Sequence, residues 1–156
     1  MILYHTSDII VDVPDTQHSR DFLDFGKGFY LTDILEQAQN YGIRFIRRGK
    51  RAFLNVYEFE YEESQWDVRR FDTYNKDWLD FIGTCRNGND KTTHDLIIGG
   101  IANDKVIRTL DRYFNGEINE EQALGLLIFE RPNIQYCIRT QELLNSSLKY
   151  IRSEML

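Results

Sequence analysis

Asp24-Phe25-Gly26-Lys27-Gly28-Phe29-Tyr30-Leu31-Thr32-Asp33 is the part of the chain from which the rest is read. Gly26 and Gly28 flank Lys27 where the backbone must bend or approach a partner closely, and the apolar residues Phe29 to Leu31 then read as a short buried strand. A helix is expected at once. Asp33 and Glu36 have the spacing of a capping box, and Ile34, Leu35, Ala38, Tyr41 and Phe45 fall on one helical face. A strand turning into a helix in this way lets Tyr30 and Tyr41 flank one cleft.

With 156 residues, 42% hydrophobic and 13% aromatic, the chain has the size and composition of one globular domain without a linker. Its two prolines, Pro14 and Pro132, fall in expected loops, and no internal repeat is visible. A net charge of -6 argues against a general nucleic-acid or membrane-surface binder. Arg44, Arg47, Arg48, Lys50 and Arg51 form a local exception, read either as a solvated face or as a docking edge for a phosphate-bearing substrate. Cys85 and Cys137 have neither metal-ligand nor redox spacing, and His5, His18 and His94 are scattered, so no metal site or disulfide is expected. Without a disulfide framework a reduced, cytoplasmic home is expected, and with no apolar run long enough to span a bilayer no membrane contact is expected.

Strand patterns occur at residues 2–5, 29–31, 52–61, 96–98 and 135–138. Within the long one, Phe53, Tyr57, Phe59 and Tyr61 share a core-facing side interrupted by Asn55. Helical spacing follows Asp33 and recurs at residues 78–85, at Val106, Ile107, Leu110, Tyr113 and Phe114, at Ala123, Leu124 and Leu127, and at Leu143, Leu144, Leu148 and Ile151. Gly116 is expected to end one helix and Asn119 to cap the next. Asn103 and Asp104 follow a buried strand, with a helix cap as the plainer reading of Asp104. His94 and Asp95 are adjacent on a strand and point to opposite faces, which discounts them as a catalytic pair. Irregular alternation of strands and helices fits α+β.

Phe25-Gly26-Lys27-Gly28-Phe29-Tyr30, followed by a helix that reaches Asn40-Tyr41, resembles the core of the ADP-ribosyltransferase superfamily in its poly(ADP-ribose) polymerase-like branch. The opening Ile2-Leu3-Tyr4-His5-Thr6-Ser7 resembles that family's strand ending in H-G-[ST], with Thr6 in place of the glycine. Within the superfamily, the Leu3-Tyr4-His5 opening, the Asp24 to Thr32 segment, Trp78-Leu79-Asp80-Phe81 and a late strand from Gln135 look like a group of small uncharacterised bacterial proteins (DUF3990-like). The resemblance implies two small, mostly antiparallel sheets packed around an NAD cleft with flanking helices.

It also implies a site. Tyr30 and Tyr41 would sandwich the nicotinamide ring, His5 would bond the adenosine-side ribose, and the backbone at Thr6 and Ser7 would grip the carboxamide. Lys27 and Gly28 belong to the motif loop, where Lys27 would meet the pyrophosphate or simply be solvated. Ala38 stands where the polymerases often carry a carboxamide-binding serine. Gln135 takes the place of the catalytic glutamate; it can hydrogen-bond the ribose but can neither stabilise positive charge as a carboxylate does nor activate a nucleophile. With Gln135, His5 and Tyr41 as the catalytic set, the implied reaction is mono-ADP-ribosyl transfer from NAD to a protein or nucleic-acid acceptor, in a toxin or effector that could have an antitoxin partner. The alternative is a catalytically inactive module on the same fold that binds NAD, ADP-ribose or a protein.

Overall fold

A computed structural model describes residues 1–19, 23–89 and 93–156. Its elements are β1 (Ile2–Ser7), β2 (Phe29–Thr32), α1 (Leu35–Ile46), β3 (Phe53–Phe59), β4 (Val68–Arg70), α2 (Lys76–Arg86), β5 (Leu96–Gly100), α3 (Asp104–Phe114), α4 (Glu120–Leu127), β6 (Ile134–Ile138), α5 (Gln141–Ser147) and β7 (Leu148–Met155). Among the described residues the strands form one mixed sheet in the order β4-β5-β6-β2-β1-β3-β7, in which only β4 and β5 pair in parallel. The architecture is α+β, as the pattern predicts, but a single sheet stands where two small ones were expected. Its two halves are joined at β1 and β2, whose register pairs only Tyr4 with Thr32.

Alternation along the strands sorts side chains onto two faces. On one face Leu3, Phe29, Leu31, Tyr57, Phe59, Leu96, Ile98 and Ile138 pack with Leu143 and Leu144 of α5. On the other, Leu54 and Val56 lie under Ala38 of α1, and Ile97 and Cys137 lie under α2, α3 and α4 with Phe25, Trp78 and Leu110. Both sides of β3 are therefore covered. Asn55, which breaks its apolar run, is fully buried; its side chain accepts from the Val11 N–H and the Ser153 hydroxyl and donates to the His5 carbonyl. It ties the segment after β1, and β7, to the sheet.

Three local expectations are corrected. No side chain caps α1, and Thr32 Oγ1 accepts the Ile34 N–H at 3.1 Å in place of an Asp33 and Glu36 capping box. The buried line of α1 is Ala38 and Gly42, and Leu35 and Tyr41 are 42% and 39% exposed, so the helix meets the sheet through its smallest residues. The apolar pattern at Leu143, Leu144, Leu148 and Ile151 is not one helix: α5 stops at Ser147 and the chain continues as β7, paired with all of β3. Where sequence and structure agree, the details hold as well. Gly116 adopts φ 76° just after α3, and Asn119 and Gln122 form a reciprocal capping box on α4.

Candidate functional site

The loop before β2 is fastened residue by residue. Gly26 has φ 76°, a conformation that favours glycine. Gly28 is held against β6, and a Cβ there would lie 2.6 Å from Cys137 Sγ and 2.8 Å from the Ile138 carbonyl oxygen. Asp24 accepts from Arg86 Nε at 2.9 Å, and Phe25 is buried in the core while its carbonyl accepts from Arg139. The Tyr30 hydroxyl donates to the Gly26 carbonyl and accepts the Phe25 N–H at 3.1 Å. Burial, with Cys137 beside it, raises the Tyr30 pKa, so this phenol stays protonated and fixes the loop. Lys27 is exposed at its tip.

His5 sits where the sheet divides. Beyond Tyr4 and Thr32 the β1–β2 register stops, and His5 Nδ1 approaches the Tyr30 carbonyl oxygen at 2.8 Å. A carbonyl only accepts, so Nδ1 carries the proton and neutral His5 keeps its lone pair on Nε2. The ring packs at 4.4 Å on Phe29, and burial lowers the His5 pKa despite the opposing effect of that hydrogen bond. His5 and Tyr30 thus meet through ring and carbonyl rather than ring to ring. Ser7 bonds locally, to Asp8 and Ile9.

Thr6 has a clear structural use. Its hydroxyl donates to the Ala38 carbonyl at 2.7 Å, while a Cβ on Gly42 would lie 3.4 Å from Thr6 Cγ2. The residue that replaces a glycine in the resemblance therefore clamps α1 onto β1. Tyr41 is left out of the core, with Phe45 edge-on at 5.7 Å and the Arg44 guanidinium 5.1 Å from its ring centre.

The relation of α1 to β6 follows from topology. β2 and β3 are both antiparallel to β1, so β2–α1–β3 is a crossover between parallel strands, and such crossovers are right-handed. With Ala38 and Gly42 facing the sheet, that hand turns the stripe Ile34, Gln37, Tyr41 and Phe45 towards β2 and β6. Below it the register sets Tyr4, Thr32, Gln135 and Gly99 side by side on the helix-bearing face, with Tyr30 and Cys137 in the next row. Tyr30, Tyr41 and Gln135 are thereby brought to one side of the sheet, while the His5 ring packs with Phe29 on the other.

Two polar atoms of this region are buried without a partner among the described residues: Gln135 Nε2 and Gln37 Oε1. Gln37 was not singled out from the sequence, although its place one turn before Tyr41 was legible there. An open groove of about 570 Å3 lies elsewhere, along β3, α5 and β7. Glu58 and Glu60 line it with a single Lys149, a net negative lining that does not favour an anionic dinucleotide. Among the described residues there is no group of three or more His, Cys, Asp or Glu side chains placed to hold a metal, and no helix is long and apolar enough to cross a membrane.

No curated protein and no solved structure matches the chain. The family described as "Protein of unknown function (DUF3990)" matches residues 1–150, and the chain belongs to it.

Proposed function

We propose that this protein binds NAD beside α1 and β6 and transfers its ADP-ribose as a mono-ADP-ribosyltransferase. The observation that carries the reading is a conjunction on one side of the sheet. Tyr41 is an aromatic ring kept out of the core, and Gln135 presents a buried amide donor without a partner among the described residues. Unsatisfied buried polar groups are rare in folded proteins and ask for an explanation; a ligand supplies one. A flat cationic nicotinamide ring would stack on the face of Tyr41 away from Arg44, gaining offset stacking and the attraction of a π face for a cation. Gln135 Nε2 would then hold a hydroxyl of the adjoining ribose.

In the proposed step the bond between nicotinamide nitrogen and ribose C1′ breaks, the electron pair leaves with nicotinamide, and the acceptor attacks C1′. The acceptor's proton passes to water, because an amide at position 135 cannot take it. The His5 ring packs with Phe29 on the opposite face of the sheet, so its part at the adenosine-side ribose rests on the resemblance alone. The setting of a bacterial toxin or effector, a protein or nucleic-acid acceptor and an antitoxin partner rest on the resemblance to the superfamily. The amide at position 135 also favours a second reading, a module that binds NAD or ADP-ribose without turning it over.

The test is incubation of the purified protein with cell lysate and NAD labelled on the adenylate phosphate, following free nicotinamide and label attached to macromolecules. Transfer that Tyr41→Ala abolishes and Gln135→Glu accelerates supports the enzyme. Absence of both products with retained NAD binding supports the inactive module, and absence of binding overturns both readings.

A further inference from the structure

Gln37 is the second orphan of this region, and the reading above gives it no task. Among the described residues its buried Oε1 on α1 has no donor, one helical turn before Tyr41. Residues four apart share a helix face, so the Gln37 and Tyr41 side chains are neighbours on α1. Two nearby polar groups are already engaged, and Gln135 Nε2 is the other buried group of this region without a partner among the described residues. The Ala38 carbonyl receives the Thr6 hydroxyl at 2.7 Å, and Thr32 Oγ1 receives the Ile34 N–H. A flat ring with a hydrogen-bond donor at its edge would both lie on Tyr41 and satisfy Gln37 Oε1, and the carboxamide of nicotinamide supplies such a donor.

We propose that Gln37 reads the carboxamide of nicotinamide, its Oε1 accepting from the carboxamide NH2 while the ring rests on Tyr41. This assignment rests on the NAD reading and adds to it a specificity-determining residue. Its chemical consequence is discrimination between carboxamide and carboxylate. Nicotinic acid adenine dinucleotide carries only acceptors and a negative charge at that position, so it sets oxygen against oxygen at Gln37 and leaves both desolvated groups unpaired.

Calorimetric titration of NAD and of nicotinic acid adenine dinucleotide into the wild type, Gln37→Met and Gln37→Glu tests the assignment. The wild type is expected to bind NAD about tenfold more tightly than the acid form, the size of one good hydrogen bond. Gln37→Met, similar in volume and without an acceptor, brings the two ligands within about threefold. Gln37→Glu keeps the acceptor and rejects the acid form at least as strongly. The ligand-free Gln37→Met protein should also unfold at a higher temperature than the wild type, since an orphaned buried polar group is gone. A folded Gln37→Met protein that keeps the wild-type preference overturns the assignment and leaves the NAD reading standing, as does a wild type that binds both ligands equally. A wild type that binds neither dinucleotide overturns the NAD reading and this assignment together.

Discussion

Tyr30 and Tyr41 look alike in the sequence and differ in the fold. The hydroxyl of Tyr30 closes the loop through Gly26 and Phe25, so Tyr30→Phe leaves a buried N–H and a carbonyl with one partner fewer. We expect a loss of about 1–2 kcal/mol of stability, read from the denaturant midpoint. Tyr41→Ala removes an exposed ring and should change stability by less than about 0.5 kcal/mol, which makes it the cleaner probe of binding. His5 gives a pH signature. Burial lowers its folded-state pKa, so as pH falls the unfolded chain takes up this proton first. The contribution of His5 is whole above the unfolded-state value of about 6.5 and is lost as the pH falls below it. His5→Asn, whose Nδ2 can imitate Nδ1 towards the Tyr30 carbonyl, should flatten the fall in stability between about pH 7.5 and 5. An unchanged slope would contradict the role given to His5.

At the scale of elements, the join between β6 and the loop before β2 depends on close approach. Gly28→Ala drives a methyl into Cys137 Sγ and the Ile138 carbonyl, and should cost about 3 kcal/mol, because backbone cannot step aside as a flexible side chain can. Gly49→Ala, at φ 73° with open space around it, should cost only about 1 kcal/mol, all of it from backbone conformation. Equilibrium unfolding of the two variants distinguishes contact from conformation. The same scale explains what the sequence could and could not disclose. The short strand at Phe29 and the helix behind it were legible because glycines and apolar spacing mark them. The start of α1 departs from the pattern because Asp33 and Glu36 satisfy only the spacing of a capping box, while Thr32, one residue earlier, takes the N–H of Ile34. Leu148 and Ile151 extend a helical spacing from Leu143, yet β3 offers an open ladder that only a strand can fill, and pairing prevails over periodicity.

For the whole molecule, β7 closes the sheet over β3, and a chain ended after Ser147 would leave Phe53–Phe59 as an edge beside a half-built core. Such a truncation should not yield a cooperatively folded protein, and a sharp thermal transition in it would contradict the architecture. The candidate site shows the same division between what composition reveals and what only assembly reveals. Motif and order along the chain point to Tyr30, Tyr41 and Gln135. Their placement on one side of the sheet depends on strand register and on the hand of the β2–α1–β3 crossover, which no single segment carries, and Gln37 stands out only once its Oε1 is seen to be buried and unpaired. The central claim is that nicotinamide lies against Tyr41. Saturation-transfer NMR with NAD and the purified protein tests it most directly: we predict transfer to the nicotinamide ring protons in the wild type and its loss in Tyr41→Ala, whereas transfer confined to the adenine protons, or none at all, would contradict the claim.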